Sequence, residues 1–378
     1  MKKCVFFILT FLCFLQISCN KPETNETGAN REKLLPLKIG IITVLTGNQA
    51  GYGEAVVKGC KLAASEINKK KDLRIELIIE DSAGEPLNAL NSLKKLIDKD
   101  KVSAILGPLL SSEMKIVGAE ANYNKIAILA TSNTAKGIPQ IGEYVFRNSL
   151  PESKAVPAAI KKAIEKLNIK KTALYYDDDD AFTKSSAAIM LEAAKDMGLE
   201  VLTTESFHKP QTDFKTQLAK IKKSNPDAVL CSALYSDGVM IMTQARQMGL
   251  NIPFIGGNGF NSPKIIELAK ENAEGLIVAT PWFSGTDDPA AKTFIKSFQD
   301  TYGENPDQFS AQAYDGIYLL AEAAKNAGSG DRKMIRDSLA AIRNFDGALG
   351  RFAFDEEGDV LMNPKVITVK DGKFQLFE

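Results

Sequence analysis

The sequence predicts an α/β protein built as two doubly wound lobes with a cleft between them. Three observations predict it. From Leu37 to Thr280, apolar runs of strand length alternate with amphipathic helical stretches, the pattern of parallel sheets covered on both faces. The strands are too many for one small sheet. The tail from Phe352 alternates with period two and turns at Asp371-Gly372, which reads as hairpins and fits a single closed barrel poorly.

The chain opens with MKKCVFFILTFLCFLQISCN, in which Lys2 and Lys3 precede an apolar core and small Ser18 precedes Cys19. That is an export signal, too short and wrongly flanked for a spanning helix. A cysteine after a small residue, followed by polar KPETNETGANREK, resembles a bacterial lipoprotein cleavage site. The resemblance implies that residues 1–18 are removed as a signal peptide and that Cys19 becomes the lipidated first residue. Gln16 departs from it, standing where the usual pattern has leucine, and a plain secretory signal cut nearby is the alternative. Residues 19–36 read as a flexible tether.

Composition narrows the function classes. About 360 residues follow the signal, enough for two domains. The 47 basic and 47 acidic residues balance, and loss of Lys2 and Lys3 leaves the chain near neutral, which argues against nucleic acid as the main partner. Beyond Cys19 only Cys60 and Cys231 survive processing. They fall on a helix and a distant strand, so two buried thiols are expected and no bridge. No second apolar run reaches membrane-spanning length.

The elements follow in order. LKIGIITVL is the first strand, and the loop from Thr46-Gly47 ends at Tyr52-Gly53. The next helix places Val56, Cys60, Ala63 and Ile67 on one face. A strand from Arg74 to Ile79 and a helix from Leu87 to Lys99 lead to ILGPLLSSEMKIVGAEANYNKIAILATSNT, residues 105–134. Here an apolar run meets Gly107-Pro108, Ser111 and Ser112 stand where a helix begins, and Glu113 lies in its first turn. The strand from Ile126 to Ala130 then ends in a second polar turn, Thr131-Ser132-Asn133-Thr134. A capping serine at a positively polarised helix N-terminus suits a small anion such as a carboxylate. Two such turns on successive parallel strands face one crevice. The bland alternative is a strand-to-helix connection with its cap satisfied. Strand and helix then alternate to Thr280, with helices at Ala290 to Tyr302, Ala311 to Ala327 and Arg332 to Ile342 before the hairpin tail.

Several stretches together resemble the leucine/isoleucine/valine-binding family of periplasmic binding proteins. They are LTGNQAGYGEAVVKGCKLAASEIN, VSAILGPLLSSE, YVFRNSLPES, ALYYDDDDAF, QARQMGL with IGGNG, NAEGLIVATPWF and SAQAYDGIYLLAEAAKNAG. The resemblance runs from about Leu37 to the C-terminus and rests on the order and spacing of these stretches. It implies the type I periplasmic binding fold, two Rossmann-like lobes joined by a three-crossing hinge, with breaks near Pro151, Trp282 and Asn344. Lobe 1 would comprise residues 37–151 and 283–343, and lobe 2 residues 152–282 and 344–378. It also implies an extracytoplasmic, periplasmic substrate-binding component of an ABC importer. Such a protein captures a small carboxylate, first of all an amino acid of the branched-chain type, by hinge closure and passes it to a membrane permease. The absence of a phosphate loop fits that division of labour.

The family's carboxylate-binding serine falls on Ser111, and the groups that share this task fall on Ser132 and Thr134, with Asn133 between them. A tyrosine before the first helix matches Tyr52, and one from the second lobe matches Tyr235. Two positions depart. The acid that receives an ammonium group falls on Asn258, and Ala181-Phe182 replaces a Tyr-Gly. Asparagine brings no charge, whereas a desolvated cation wants a full countercharge. Asp237 or an acid from Asp177 to Asp180 could substitute; otherwise the ligand lacks an α-amine, as in amides or aromatic and aliphatic carboxylates.

No cofactor or metal site is expected. Asp177 to Asp180 lack the glycine and glutamate of a calcium loop and read as a solvated cleft edge. His208, the chain's single histidine, makes neither a metal site nor a triad with Ser111, so no enzymatic role is expected. Trp282 at an expected crossing reads as interlobe packing. A ligand-sensing subunit of a membrane receptor is the main functional rival.

Overall fold

The strands of this protein divide their side chains strictly between two faces, and that division builds the lobes. In the computed structural model the described residues are Met1 and 37–378. The signal peptide, the tether and the lipidation site at Cys19 lie outside the described residues.

The first lobe begins β1 (Leu37–Thr43), α1 (Ala50–Lys70), β2 (Ile75–Asp81), α2 (Pro86–Asp98), β3 (Ala104–Leu106), α3 (Ser111–Tyr123), β4 (Ile128–Ala130) and β5 (Val145–Arg147). Its sheet is parallel, in the order β2-β1-β3-β4-β5. Along it, Ile39, Ile41, Ala104, Leu106 and Leu129 face one core, while Ile42, Ile105, Ile128 and Ala130 face the other. Successive side chains point to opposite faces, so an apolar run buries both only when helices cover both. The helices α2 and α3 cover one face through Leu93, Leu96, Met114 and Val117, and α1 covers the other through Val56, Cys60 and Ala63.

The second lobe continues with α4 (Glu152–Leu167), β6 (Lys171–Asp177), α5 (Ala181–Asp196), β7 (Glu200–Phe207), α6 (Lys215–Ser224), β8 (Ala228–Ser232), α7 (Tyr235–Gln247), β9 (Phe254–Gly256), α8 (Pro263–Ala269) and β10 (Leu276–Thr280). The same alternation recurs. Ala173, Tyr175, Val229, Cys231 and Val278 pack under α6 to α8, and Leu174, Leu230 and Ile277 under α4 and α5. Cys60 and Cys231 are buried free thiols, as expected.

The chain returns to the first lobe with α9 (Pro289–Tyr302), α10 (Gln308–Ala327) and α11 (Arg332–Ala340). Helix α10 lies along α1, with Gly59 at the closest approach: a Cβ there would stand 2.1 Å from the Ser310 carbonyl oxygen. The tail forms β11 (Phe345–Gly347), β12 (Gly350–Phe354) and β13 (Val360–Leu361) as a small antiparallel sheet. It then adds β14 (Lys365–Lys370), antiparallel to β10, and β15 (Lys373–Leu376), antiparallel to β14, to the second lobe's sheet, whose order is β15-β14-β10-β9-β8-β6-β7.

Phe345, Ala348, Leu349, Phe354 and Val360 are buried in one cluster with side chains of α1 and α10, and β14 then pairs with β10 of the second lobe. Arg147 fastens this tail. Its Nε donates to Asp359 Oδ1 at 2.9 Å and its Nη2 pairs with Asp359 Oδ2, while the Arg147 N–H donates to the Gly358 carbonyl at 2.9 Å.

Candidate functional site

The carboxyl ends of the parallel strands of both sheets meet at one small cavity of about 20 Å³, room for about one water, so the lobes must part to admit a ligand. From the first lobe come Leu109, Leu110 and Ser111 after β3, Ser132 after β4, Tyr52 in the first turn of α1 and Phe309 in the first turn of α10. From the second come Phe182 at the start of α5, Leu234 after β8, and Asn258 and Gly259 after β9. The walls are apolar with a few polar groups, and no acid lines the cavity.

Ser111 is the first residue of α3, not its cap. Leu110 occupies the cap position, and its N–H is taken by Glu113 Oε2 at 2.9 Å. The sequence reading of a capping serine is therefore corrected: the glutamate closes the turn, and the buried Ser111 hydroxyl accepts only the Ala135 N–H, at 3.5 Å. The Ser132 hydroxyl donates to the Leu109 carbonyl at 2.9 Å, tying the two polar turns together.

Asn133, Thr134, Tyr235 and Asp237 do not form the walls of the cavity. Asn133 is buried behind it, its Nδ2 donating to the Leu109 carbonyl at 3.2 Å and its own carbonyl accepting from Ser149 Oγ at 3.0 Å. The Thr134 hydroxyl donates to Glu152 Oε1 at 3.3 Å. Tyr235 closes the rim: its N–H donates to the Tyr52 hydroxyl at 2.9 Å, its own hydroxyl accepts from the Gly51 N–H at 3.3 Å, and the two rings meet edge-on at 4.7 Å. Asp237 lies in the first turn of α7, where burial pushes its carboxyl up to about 6 against the opposing pull of Lys209.

The lobes touch at several points. The Tyr52 hydroxyl also donates to the Gly259 carbonyl, Gln49 Nε2 donates to Ser236 Oγ at 2.8 Å, and the Lys136 N–H donates to Ser185 Oγ at 2.9 Å. Burial holds the Tyr52 phenol well above its ordinary range, so it stays protonated as a donor. Trp282, buried, meets Phe294 edge-on at 5.9 Å.

Glu152 is the residue sequence reasoning missed most plainly. Fully buried at the start of α4, it accepts from the Asn258 N–H at 2.8 Å and Ser186 Oγ at 2.7 Å, besides Thr134. Burial raises its pKa, opposed by those three donors. Gly257 beside it has no room for a side chain: a Cβ would lie 2.6 Å from Glu152 Oε2. Gln308 was missed too; its Nε2 donates to Asn258 Oδ1 at 2.5 Å. A readable signal existed for this turn, since Asp307 caps α10 by accepting from the Ser310 N–H and places Gln308 and Phe309 in the first turn.

The acidic run is only partly the solvated loop expected from sequence. Asp180 is buried as the cap of α5, accepting from the Phe182 N–H at 2.9 Å, and buried Asp177 pairs with Lys209 at 3.2 Å. His208 is exposed and bonded to Asp179, which raises its pKa. Among the described residues, no group of three or more His, Cys, Asp or Glu could hold a metal ion, and no helix is long and apolar enough to cross a membrane.

Residues 36–373 match the family model described as periplasmic binding protein. The chain is 30% identical to the isoleucine-bound branched-chain amino acid transporter substrate-binding protein of Streptococcus pneumoniae, with a TM-score of 0.85 over 90% of this chain and 98% of that one. It is 25% identical to an ABC transporter solute-binding protein of Rhodopseudomonas palustris in complex with 3,4-dihydroxybenzoic acid, with a TM-score of 0.80 over 90% and 95% of the two chains. The leucine-, isoleucine-, valine-, threonine- and alanine-binding protein of Pseudomonas aeruginosa is 25% identical over 328 residues, 86% of this chain and 87% of that one.

Proposed function

The chain belongs to the periplasmic binding protein family, and from that premise we propose that it is the extracytoplasmic solute-binding component of an ABC importer. It captures a small apolar carboxylate, an amino acid of the branched-chain type as the first reading, by closure of two lobes on the ligand. The observation that carries this reading is the cavity between the two sheets, whose hydroxyl and amide groups converge among leucine and phenylalanine walls.

Each part has a physical task. Ser111 and the N-terminal turn of α3 present a hydroxyl and a positive dipole end to the acid group. Ser132 holds that turn in place through the Leu109 carbonyl. Leu109, Leu110, Phe182, Leu234 and Phe309 take the apolar body, each burying area worth roughly 25 cal/mol per Å². Asn258 arrives from the second lobe, and Tyr52 joins Tyr235 and Gly259 as the rim shuts. The ligand favours the closed form only by the contacts it gains there.

The Ser111 hydroxyl is bonded to the Ala135 N–H, and the single histidine, His208, is exposed and bonded to Asp179, so we read binding without turnover. The closed shape is recognised by a membrane permease, and Cys19 anchors the protein to a membrane by lipid. A second reading, an amine-free aromatic or aliphatic carboxylate, is favoured by Asn258 and by the acid-free lining.

Thermal shifts with a panel of amino acids, amides and amine-free carboxylates test the capture reading, because binding raises the midpoint by mass action. A panel in which no member moves the midpoint counts against it. Replacing Cys19 by alanine should release the exported protein from the membrane fraction if the anchor is lipid.

A further inference from the structure

The amide of Asn258 cannot choose which end it offers the cavity. Its Oδ1 accepts from Gln308 Nε2 at 2.5 Å, and the far end of Gln308, Oε1, accepts from Asn261 Nδ2 at 2.7 Å. All three side chains are buried. Turning this chain of amides end for end would preserve the bonds between them. The tie is broken by the backbone carbonyl of Ser132, which can only accept and lies 3.5 Å from Asn258 Nδ2. Reversal would set two oxygens against each other there. One hydrogen on Nδ2 is directed to Ser132, and the second is what position 258 offers a ligand.

The remaining polar groups agree in sign. Ser111 accepts from the Ala135 N–H and keeps its own proton to give. The nearest carboxylate behind Asn258, that of Glu152, has both oxygens engaged by Thr134, Asn258 and Ser186. The acids whose charge reaches the cavity wall, Asp237 and Asp180, do so at Tyr52 and line no part of the cavity; an ammonium at position 258 would meet N–H with N–H, which is costly in a desolvated site.

We propose that the cavity takes a small apolar 2-oxo acid in preference to the corresponding amino acid, with Asn258 Nδ2 donating to the oxo oxygen and Ser111 at the head of α3 holding the carboxylate. This rests on the capture reading above in its second form, the amine-free carboxylate, and sets it against the amino acid given as the first. The rule is that position 258 reads an acceptor on the α carbon.

The test is calorimetric titration of the purified exported protein with 4-methyl-2-oxopentanoate and with leucine. The oxo acid should bind at least about tenfold tighter. Asn258→Asp is isosteric and still accepts from Gln308, but supplies a negative charge, so it should reverse the order. Gln308→Leu frees the amide to turn and should shrink the preference toward parity; it serves where the aspartate variant melts too early to titrate. Leucine binding as tightly as the oxo acid, or tighter, overturns the proposal and leaves carboxylate capture standing. An unchanged order in both variants removes the role given to Asn258. Binding of neither compound overturns this proposal, and the capture reading falls with it only if the whole carboxylate panel is silent as well.

Discussion

Removing the Tyr52 hydroxyl should weaken ligand binding without weakening the fold. In Tyr52→Phe the ring still packs edge-on against Tyr235 at 4.7 Å and against Phe309 at 4.6 Å. What is lost is the bond from the Tyr235 N–H and the bond to the Gly259 carbonyl. Two neutral hydrogen bonds contribute about 2 kcal/mol net, and leaving a buried donor and acceptor unsatisfied raises the loss to roughly 2–4 kcal/mol. Tyr52 stands on the first lobe and both partners on the second. The loss therefore falls on the closed form alone, since water satisfies those groups once the lobes part. Affinity should fall by about 30-fold to 1,000-fold. Calorimetry on the variant reads this directly, and the melting midpoint of the ligand-free protein should stay unchanged. Unaltered affinity, or a fall in the ligand-free midpoint matching the lost binding energy, would refute the reasoning by placing the hydroxyl in the fold instead of the closure.

Three further outcomes follow from the structure. Gly59→Ala sets a Cβ 2.1 Å from the Ser310 carbonyl oxygen, backbone that cannot step aside, so α1 and α10 must separate at a cost of about 2–3 kcal/mol, read by denaturant titration; a neutral result sinks the packing argument. Glu152→Ala strands the Asn258 N–H and the hydroxyls of Thr134 and Ser186, for a loss of roughly 2–4 kcal/mol in the ligand-bound midpoint or affinity. Burial pushes the Asp315 carboxyl up to about 7, above its value near 3.9 in an unfolded chain. The folded state then holds the proton more firmly, so this contribution is complete below about pH 4 and is lost as pH rises through 7, by at most about 4 kcal/mol. Asp315→Asn should flatten the pH dependence of the melting temperature between pH 5 and 8, and an unchanged slope would disprove the assignment.

The part of the site legible in the sequence is the part made of local chain. Ser111 and Ser132 meet because β3 and β4 are parallel neighbours, so turns at their carboxyl ends share a crevice. The same turn misled at the next two positions. Asn133 and Thr134 are held by Leu109 and Glu152 and do not line the cavity, and a run of polar residues does not say which of them does. The first helix starts earlier than its sequence suggests: α1 begins at Ala50, which draws Tyr52 out of the expected loop and into a helix that faces Tyr235. Glu152 and Gln308 escaped because their partners lie 106 and 50 residues away in the case of Asn258, and periodicity carries no information over such distances. A short hairpin with alternating residues likewise suits either lobe, and periodicity does not tell that Phe345 and Phe354 are buried in one cluster with α1 and α10.

The first lobe draws its sheet from residues 37–147, and over one face α1 is joined by α9 to α11, which lie beyond residue 288. A chain emerging from an export channel N-terminus first thus has Ile39, Ile41, Leu106 and Leu129 covered on that side by α1 alone. The covering side chains of α10, among them Ile317 and Leu320, follow only after the whole second lobe has passed. The second lobe's parallel strands can assemble during that interval, whereas the first must wait. Such long-range pairing is slow to form and exposed to aggregation while it waits. Passage through the channel therefore sets the order of maturation, and shielding of one apolar sheet face is needed for as long as the last third of the chain is still in transit.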